Sequence, residues 1–409
     1  MEFSKLTIKD VPLASKVVLV RADYNVPLTP KGKISDDFRI KASLPTIKYL
    51  VEQKCTVVLI SHLGRPKGRE PIFSLEVVAS RLEKLLGQAV KFVPNCVGDE
   101  VSRAVKKAPA ASVLLLENLR FFEGEEQNSS QFAKLIVRST GARYFVQDGF
   151  GVVHRSHAST DAITQFVPAV AGLLLEREYL ALTGAMLNPQ RPLVAVVGGA
   201  KVSDKIGVIK KLIPTADTIL IGGAMANTFL DYKGIDMKKS IVEPNQEKVL
   251  DDIYLEAHKF NHKHRSLEEF IVLPKDVAVA SKISATSPRR VVALSKLKPD
   301  DIALDIGTES IEKMVSIINE AKTVIWNGTL GYAELPEFAH GSARLALALA
   351  SKNTEVTSVI GGGDTADFAL RWDASGGASF THISTGGGAS LELMAGNKLP
   401  GIECLLARA

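Results

Sequence analysis

Arginine, histidine and small polar residues recur just past short apolar runs in the first half of the chain. Arg21, Asp23 and Asn25 follow "KVVLV", and His62 and Arg65 follow "TVVLIS". Asn118 and Arg120 follow "SVLLLE"; Asp148, His154 and Arg155 follow "RYFVQ". A guanidinium presents planar donors that match phosphate and carboxylate oxygens. Any single arginine here reads equally well as a solvated loop residue. Their return at successive run ends points instead to one pocket for a small, highly charged anion.

The second half ends its apolar runs in glycine: Gly198-Gly199, Gly222-Gly223, Gly328, Gly361-Gly362-Gly363 and Gly386-Gly387-Gly388. Bare backbone can approach an anion closely, and N–H groups opening the next helix then point at it. Repeated in one half, this describes a nucleotide phosphate site. Lys201 and Lys205 in "GGAKVSDK" are four apart, which on a helix is one face within reach of those phosphates. A solvated first turn with Asp204 as counter-ion is the plain alternative. Asp364, next to the glycine triplet, is placed to share a Mg²⁺ with phosphate oxygens, or to N-cap a helix starting near Thr365.

The runs that carry these ends are nearly all apolar, as strands buried on both faces are, and helix-like stretches such as "SLEVVASRLEKLLG" separate many of them. That alternation predicts an α/β fold of parallel sheets covered by helices, in which ligands bind beyond the carboxyl ends of the strands. The change of strand-end chemistry falls after a helix-like 171–187 and the proline-bearing "NPQRP". We therefore expect one domain over 1–170, a hinge helix and linker over 171–192, and a second domain over 193–392.

With 409 residues, 46% of them hydrophobic, the chain has material for two cores. Its net charge of +5 makes no general case for nucleic acid. Three scattered cysteines form neither a disulfide framework nor a metal motif, which fits a reducing cytoplasm. "MEFSKLTIKD" has no apolar core of a signal peptide, and charges interrupt every long apolar stretch, so no membrane partner is expected. No G-x-x-x-x-G-K-[ST] loop occurs, and "GFG" at 149–151 lacks the third glycine of a dinucleotide fingerprint.

Taken together, "RADYNVP" (21–27), "SHLGRP" (61–66), "ENLRF" (117–121), "DGFGVVHR" (148–155), "GGAKVSDKI" (198–206), "IGGAMANTF" (221–229), "WNGTLGYAE" (326–334), "GGGDT" (361–365) and "STGGGASLEL" (384–393) resemble the phosphoglycerate kinase family, in its order and over nearly the whole chain. The resemblance implies two Rossmann-like domains facing each other across a cleft. It implies reversible phosphoryl transfer from 1,3-bisphosphoglycerate to Mg-ADP, giving 3-phosphoglycerate and ATP, by a monomer. It assigns Asp23, Asn25, Arg39, His62, Leu63, Gly64, Arg65, Arg120, His154 and Arg155 to phosphoglycerate. It assigns Gly199, Lys201, Lys205, Gly222, Gly223, Asn327, Glu334, Gly361, Gly362, Gly363, Asp364 and Thr365 to nucleotide, with Asp364 at Mg²⁺. Arg39, Lys201 and the Gly386–Gly388 run, Gly387 and Gly388 above all, would serve the phosphoryl in transit. The tail 393–409 would return to the first domain. The chain departs from the family pattern at Thr329-Leu330, Tyr332-Ala333, Gly149, Val152-Val153, Ala224 and after Gly307.

Both candidate nucleophiles, a carboxylate and an ADP phosphate, are ionised at pH 7, so no general base is required. A nicotinamide oxidoreductase and a non-enzymatic anion or RNA binder are the competing readings; the first lacks its fingerprint and the second is not favoured by the overall charge.

Overall fold

A computed structural model describes residues 2–260 and 266–408. The chain divides into two compact units, one holding residues up to Leu180 together with the segment from Lys398 onward, the other Ala181–Asn397. The division falls inside a single helix, Leu173–Leu187.

The first unit is built on a six-stranded parallel sheet of β1 (Val17–Arg21), β2 (Thr56–Ile60), β3 (Val90–Val93), β4 (Val113–Leu116), β5 (Tyr144–Gln147) and β6 (Ala169–Ala171), in the order β3-β4-β2-β1-β5-β6. The central strands are buried almost end to end, which is why they lack the alternation of a half-exposed strand. The strand order reverses at β1, with β2 on one side and β5 on the other, and such a reversal opens a crevice at the carboxyl ends. The segment from Lys398 closes this unit: Leu6 N–H bonds Leu406 O (2.8 Å), Leu406 N–H bonds Ala169 O (3.0 Å), and Gly401 N–H bonds Val153 O (2.9 Å).

The second unit contains a six-stranded sheet of β7 (Leu193–Val197), β8 (Thr218–Ile221), β9 (Ile271–Val272), β13 (Thr323–Asn327), β14 (Thr357–Gly361) and β15 (His382–Ile383), ordered β15-β14-β13-β7-β8-β9. Every pairing in it is parallel, and its reversal lies at β7, between β8 and β13. A small antiparallel sheet of β10 (Asp276–Ala280), β11 (Arg290–Ala293) and β12 (Ile302–Ile306) is added to it. The sequence reading did not foresee this ribbon. β10 is fully buried, whereas β11 is largely exposed although three of its four residues are apolar.

Asp148, just past β5, is fully buried and ties three elements of the first unit together. It accepts from Thr46 Oγ1 of the helix Phe38–Glu52 (2.9 Å) and from Leu174 N–H at the start of Leu173–Leu187 (3.0 Å). Burial pushes its pKa up to about 7, against 3.8 for a free side chain. The folded protein thus holds this proton more tightly than the unfolded chain. The contribution is complete below about pH 4 and is lost as pH rises to about 7, a change on the order of 4 kcal/mol at most. We expect Asp148→Asn to flatten the pH dependence of the urea midpoint between pH 4.5 and 7.5. Parallel midpoint curves for variant and wild type would refute that assignment.

Candidate active site

In the first unit the strand ends gather the expected residues. Asp23 is buried, and Arg39 Nη1 lies 3.7 Å from one of its oxygens and donates to Asn25 O (2.6 Å). Burial raises the Asp23 pKa, but Arg39, then His62 and Arg21 beside it, and the Asn25 N–H outweigh it and hold the carboxyl below its usual range. Asn25 Oδ1 accepts from Gly64 N–H (2.8 Å), and Arg120 donates to Gly64 O, so the 61–66 loop is fastened from both sides. Asn118 adds to this by accepting from Leu63 N–H and donating to Leu63 O (2.7 Å). Leu63 itself is buried and Asn118 takes both its N–H and its carbonyl, so it shapes the loop rather than offering a free group to a ligand. Arg155 Nε donates to His154 Nε2 (3.2 Å). Arg65 and Arg155 are close enough to depress the Arg120 pKa, after burial, so these guanidiniums form one cationic cluster. Arg65 is exposed, and Arg39, His154 and Arg155 are partly so. The arrangement is a cluster of guanidiniums with Asp23 and Glu126 as its counter-charges, Glu126 lying 3.2 Å from Arg120.

Arg21 was counted among the converging cations, and its place corrects that reading. It is fully buried beneath the cluster, where it touches Ser159, His62 and Glu125 rather than any open surface. Glu125 and Ser159 were not singled out. "GEEQNSSQ" reads as a polar surface loop, and no local signal marks a buried carboxylate in it.

In the second unit, helices start directly after the glycine strand ends: Gly223–Tyr232 after β8, Gly363–Trp372 after β14 and Gly387–Met394 after β15. None has a side-chain cap, so their first N–H groups depend on backbone, water or a ligand. The glycines turn out to have two different reasons. A Cβ at Gly328 would lie 2.2 Å from Gly198 O, and one at Gly223 would lie 2.6 Å from Gly199 N. These glycines let the ends of β7, β8 and β13 touch backbone to backbone. Gly387 likewise meets Gly363 N at 2.6 Å, so two helix starts are pressed together. Gly363 has nothing within 4 Å of a Cβ position, and Gly199 meets only the end of Lys205. Those two border open space.

Lys201 and Lys205 do not share a helical face. The helix begins only at Ile206, and the Glu243 carboxylate takes the N–H groups of Val202 (2.7 Å) and Ser203 (3.1 Å), at the head of a turn that runs from Val202 to Lys205. Lys201 is exposed; Lys205 turns back and donates to Asn327 O (2.9 Å) and Oδ1 (2.5 Å). Burial lowers the Lys205 pKa to about 8, against the pull of Asp364 and Asp204. Asn327 Nδ2 is buried without a partner and lies 3.2 Å from a Cβ position at Gly361. Thr365 is buried and accepts from Gly328 N–H (2.6 Å), so it braces the β13 loop rather than facing outward. Gly222 packs on Leu330, Glu334 is exposed, and Gly388 is exposed beside Gly387. Asp364 sits in the first turn of Gly363–Trp372, whose N-cap is Gly362; it is exposed and does not cap the helix.

Among the described residues no group of three or more His, Cys, Asp and Glu is arranged to hold a metal. Exposed Asp364, beside two uncapped helix starts and with Asp204 also near Lys205, fits an Mg²⁺ carried in on nucleotide phosphates, since that ion keeps most of its ligands from phosphate and water. No helix among the described residues is long and apolar enough to cross a membrane.

Comparison with known proteins agrees with this chemistry. The chain is 45% identical to "Phosphoglycerate kinase" of Dictyoglomus turgidum over 98% of each chain. It is 43% identical to the "Phosphoglycerate kinase, cytosolic" of Triticum aestivum, covering 98% of this chain and 97% of that one. The solved phosphoglycerate kinase of Coxiella burnetii superposes with a TM-score of 0.83 at 34% identity over 98% of both chains. The family model for phosphoglycerate kinase matches residues 8–397, and this chain belongs to that family.

Proposed function

We infer that this chain is a phosphoglycerate kinase, moving a phosphoryl group reversibly between the acyl phosphate of 1,3-bisphosphoglycerate and ADP. The observation that carries the reading is the pairing of unlike anion sites on two parallel sheets. One is made of arginine side chains around Asp23, the other of uncapped glycine helix starts with Lys201 and Lys205. The first suits phosphate and carboxylate on a small acid, the second a nucleotide's phosphate chain. Glu334 would accept from ribose hydroxyls, and Asp364 would hold Mg²⁺, which when bound neutralises phosphate charge. Arg39 and Lys201 would offset the charge on the phosphoryl in flight, and the N–H groups of Gly387 and Gly388 would receive its oxygens. Because the nucleophile is already ionised, these groups position and neutralise rather than remove protons.

The test is a coupled assay with ATP, Mg²⁺ and 3-phosphoglycerate: acyl phosphate should form, and only with all three present. Turnover of ATP without phosphoglycerate, or none at all with a folded protein, would refute the reading. Monomeric behaviour and action in a reducing cytoplasm belong to the same proposal; a single species at monomer mass in solution is expected.

Two further results are expected. Asp364→Asn should weaken Mg-nucleotide binding by calorimetry about tenfold or more while leaving phosphoglycerate binding unchanged; equal weakening of both would mark a folding defect. In-line transfer also needs reacting atoms roughly 3–3.5 Å apart with water excluded. Closure about the region 170–192 should therefore accompany ternary complex formation. Small-angle scattering should give a smaller radius of gyration with both ligands than with either alone, and equal radii would refute closure.

A further inference from the structure

Beneath the arginine cluster lies a chain of buried groups that the transfer mechanism does not use. Glu125 and Arg21 are both fully buried. Ser159 links them: Arg21 Nε donates to Ser159 Oγ (2.8 Å), and Ser159 donates from Oγ to Glu125 Oε1 (2.6 Å) and from N to Oε2 (3.1 Å). Arg21 Nη2 lies 3.8 Å from Glu125 Oε1 and 3.2 Å from Nδ1 of His62. His62 is itself buried.

Arginine has donors only and keeps its proton at every relevant pH. The ring nitrogen facing Arg21 must therefore be an acceptor. Asp23 Oδ1 is the competing partner at 3.9 Å, beyond hydrogen-bond length. The remaining charges near the ring, Arg120 and Arg155, are cations and oppose a positive imidazole, as do burial and Arg21 itself. We propose that Glu125, Ser159 and Arg21 are positioning residues that lock His62 as the neutral tautomer with its proton on Nε2, so that it serves phosphoglycerate as an uncharged donor. The proposal rests on the reading of this site as the phosphoglycerate site.

The arrangement has a physical logic. A histidine among arginines adds little by becoming another cation, but a fixed N–H dipole adds direction. Arg21 can hold the ring only if its own charge is compensated, because an unpaired buried guanidinium is strongly destabilising. Glu125 supplies most of that compensation and Asp23 the rest, while Glu125 also faces His157, whose Nδ1 lies 3.8 Å from its Oε1.

Nitrogen NMR of the ligand-free protein, selectively labelled at histidine, tests this independently of activity. His62 should show a protonated Nε2 and a bare Nδ1, unchanged from pH 5 to pH 8. A proton on Nδ1, or a charged ring at pH 7, overturns the proposal while leaving the kinase reading intact. The double variant Arg21→Met with Glu125→Gln removes both buried charges together, which limits the folding cost. In it His62 should begin to titrate in this range. Its KM for 3-phosphoglycerate should rise about tenfold and become pH-dependent, with kcat changed less. A folded double variant with unaltered His62 resonances and KM overturns the role of the buried pair. Failure of the coupled assay in wild type would instead remove the kinase reading and leave the tautomer result standing.

Discussion

Arg39→Ala should lower kcat by about 10³-fold, roughly 4 kcal/mol of transition-state stabilisation. Arg39 opens the helix Phe38–Glu52 and is held by Asn25 O and Asp23, with its side chain 28% exposed. This combination of a fixed base and a free face suits a guanidinium that meets a transferring phosphoryl. KM values should move far less than kcat, because the interaction strengthens as charge develops. Arg39→Lys should recover only part of the loss, since an ammonium lacks the planar fork. Asp23 keeps Arg21 as a counter-ion in the alanine variant, so the fold should persist and circular dichroism should match wild type. Retention of a tenth or more of the wild-type kcat would remove Arg39 from the transfer step.

The second large effect separates two kinds of glycine. Gly387→Ala places a methyl 2.6 Å from Gly363 N, a backbone atom that cannot swing aside. The two helix starts must part, and the N–H groups at Gly387 and Gly388 lose their aim. We expect kcat to fall about 10²-fold, the usual cost of one misplaced oxyanion donor, with a stability loss of about 1–3 kcal/mol from overpacking. Gly363→Ala meets nothing within 4 Å and should melt like wild type. If nucleotide phosphate occupies that space, its affinity should nonetheless drop about tenfold or more, because the methyl intrudes where the ligand lies. Unchanged nucleotide affinity in Gly363→Ala would mean that phosphate does not sit against this backbone.

These cases also mark how far the sequence can be read. Buried parallel strands announce themselves as unbroken apolar runs, so the strands and their carboxyl ends are legible, and with them Asp23, His62, Arg120 and the glycine sites. What lies under those ends is not. Arg21 looks like any other strand-end arginine; only the fold reveals that it is sealed beneath the ligand surface with Glu125, a residue some hundred positions away in an unremarkable polar loop. The Lys201–Lys205 spacing suggested a helix because four residues make one turn, yet Glu243 captures the intervening N–H groups and delays the helix to Ile206. The glycines were visible, but the reason for each was not: whether backbone or ligand fills the space is a property of neighbours brought from other strands. The antiparallel ribbon was missed although β10 is fully buried and β12 largely so, because a short apolar run does not by itself say which strand it pairs with or in which direction.

The segment from Lys398 hydrogen-bonds to residues at both extremes of the first unit's sequence, Ser4 and Leu6 on one side, Val153 and Ala169 on the other. Those contacts enclose all of Ala181–Asn397 as one loop. Closing so long a loop from an unstructured chain is entropically costly and kinetically slow. Once the enclosed unit has folded, the loop is only as long as the distance between its two ends, and docking becomes a local event. Refolding should therefore be ordered, with amides of β7, β8, β13 and β14 gaining exchange protection before those of β6. The strap that completes the arginine-bearing unit should be the last segment to gain protection.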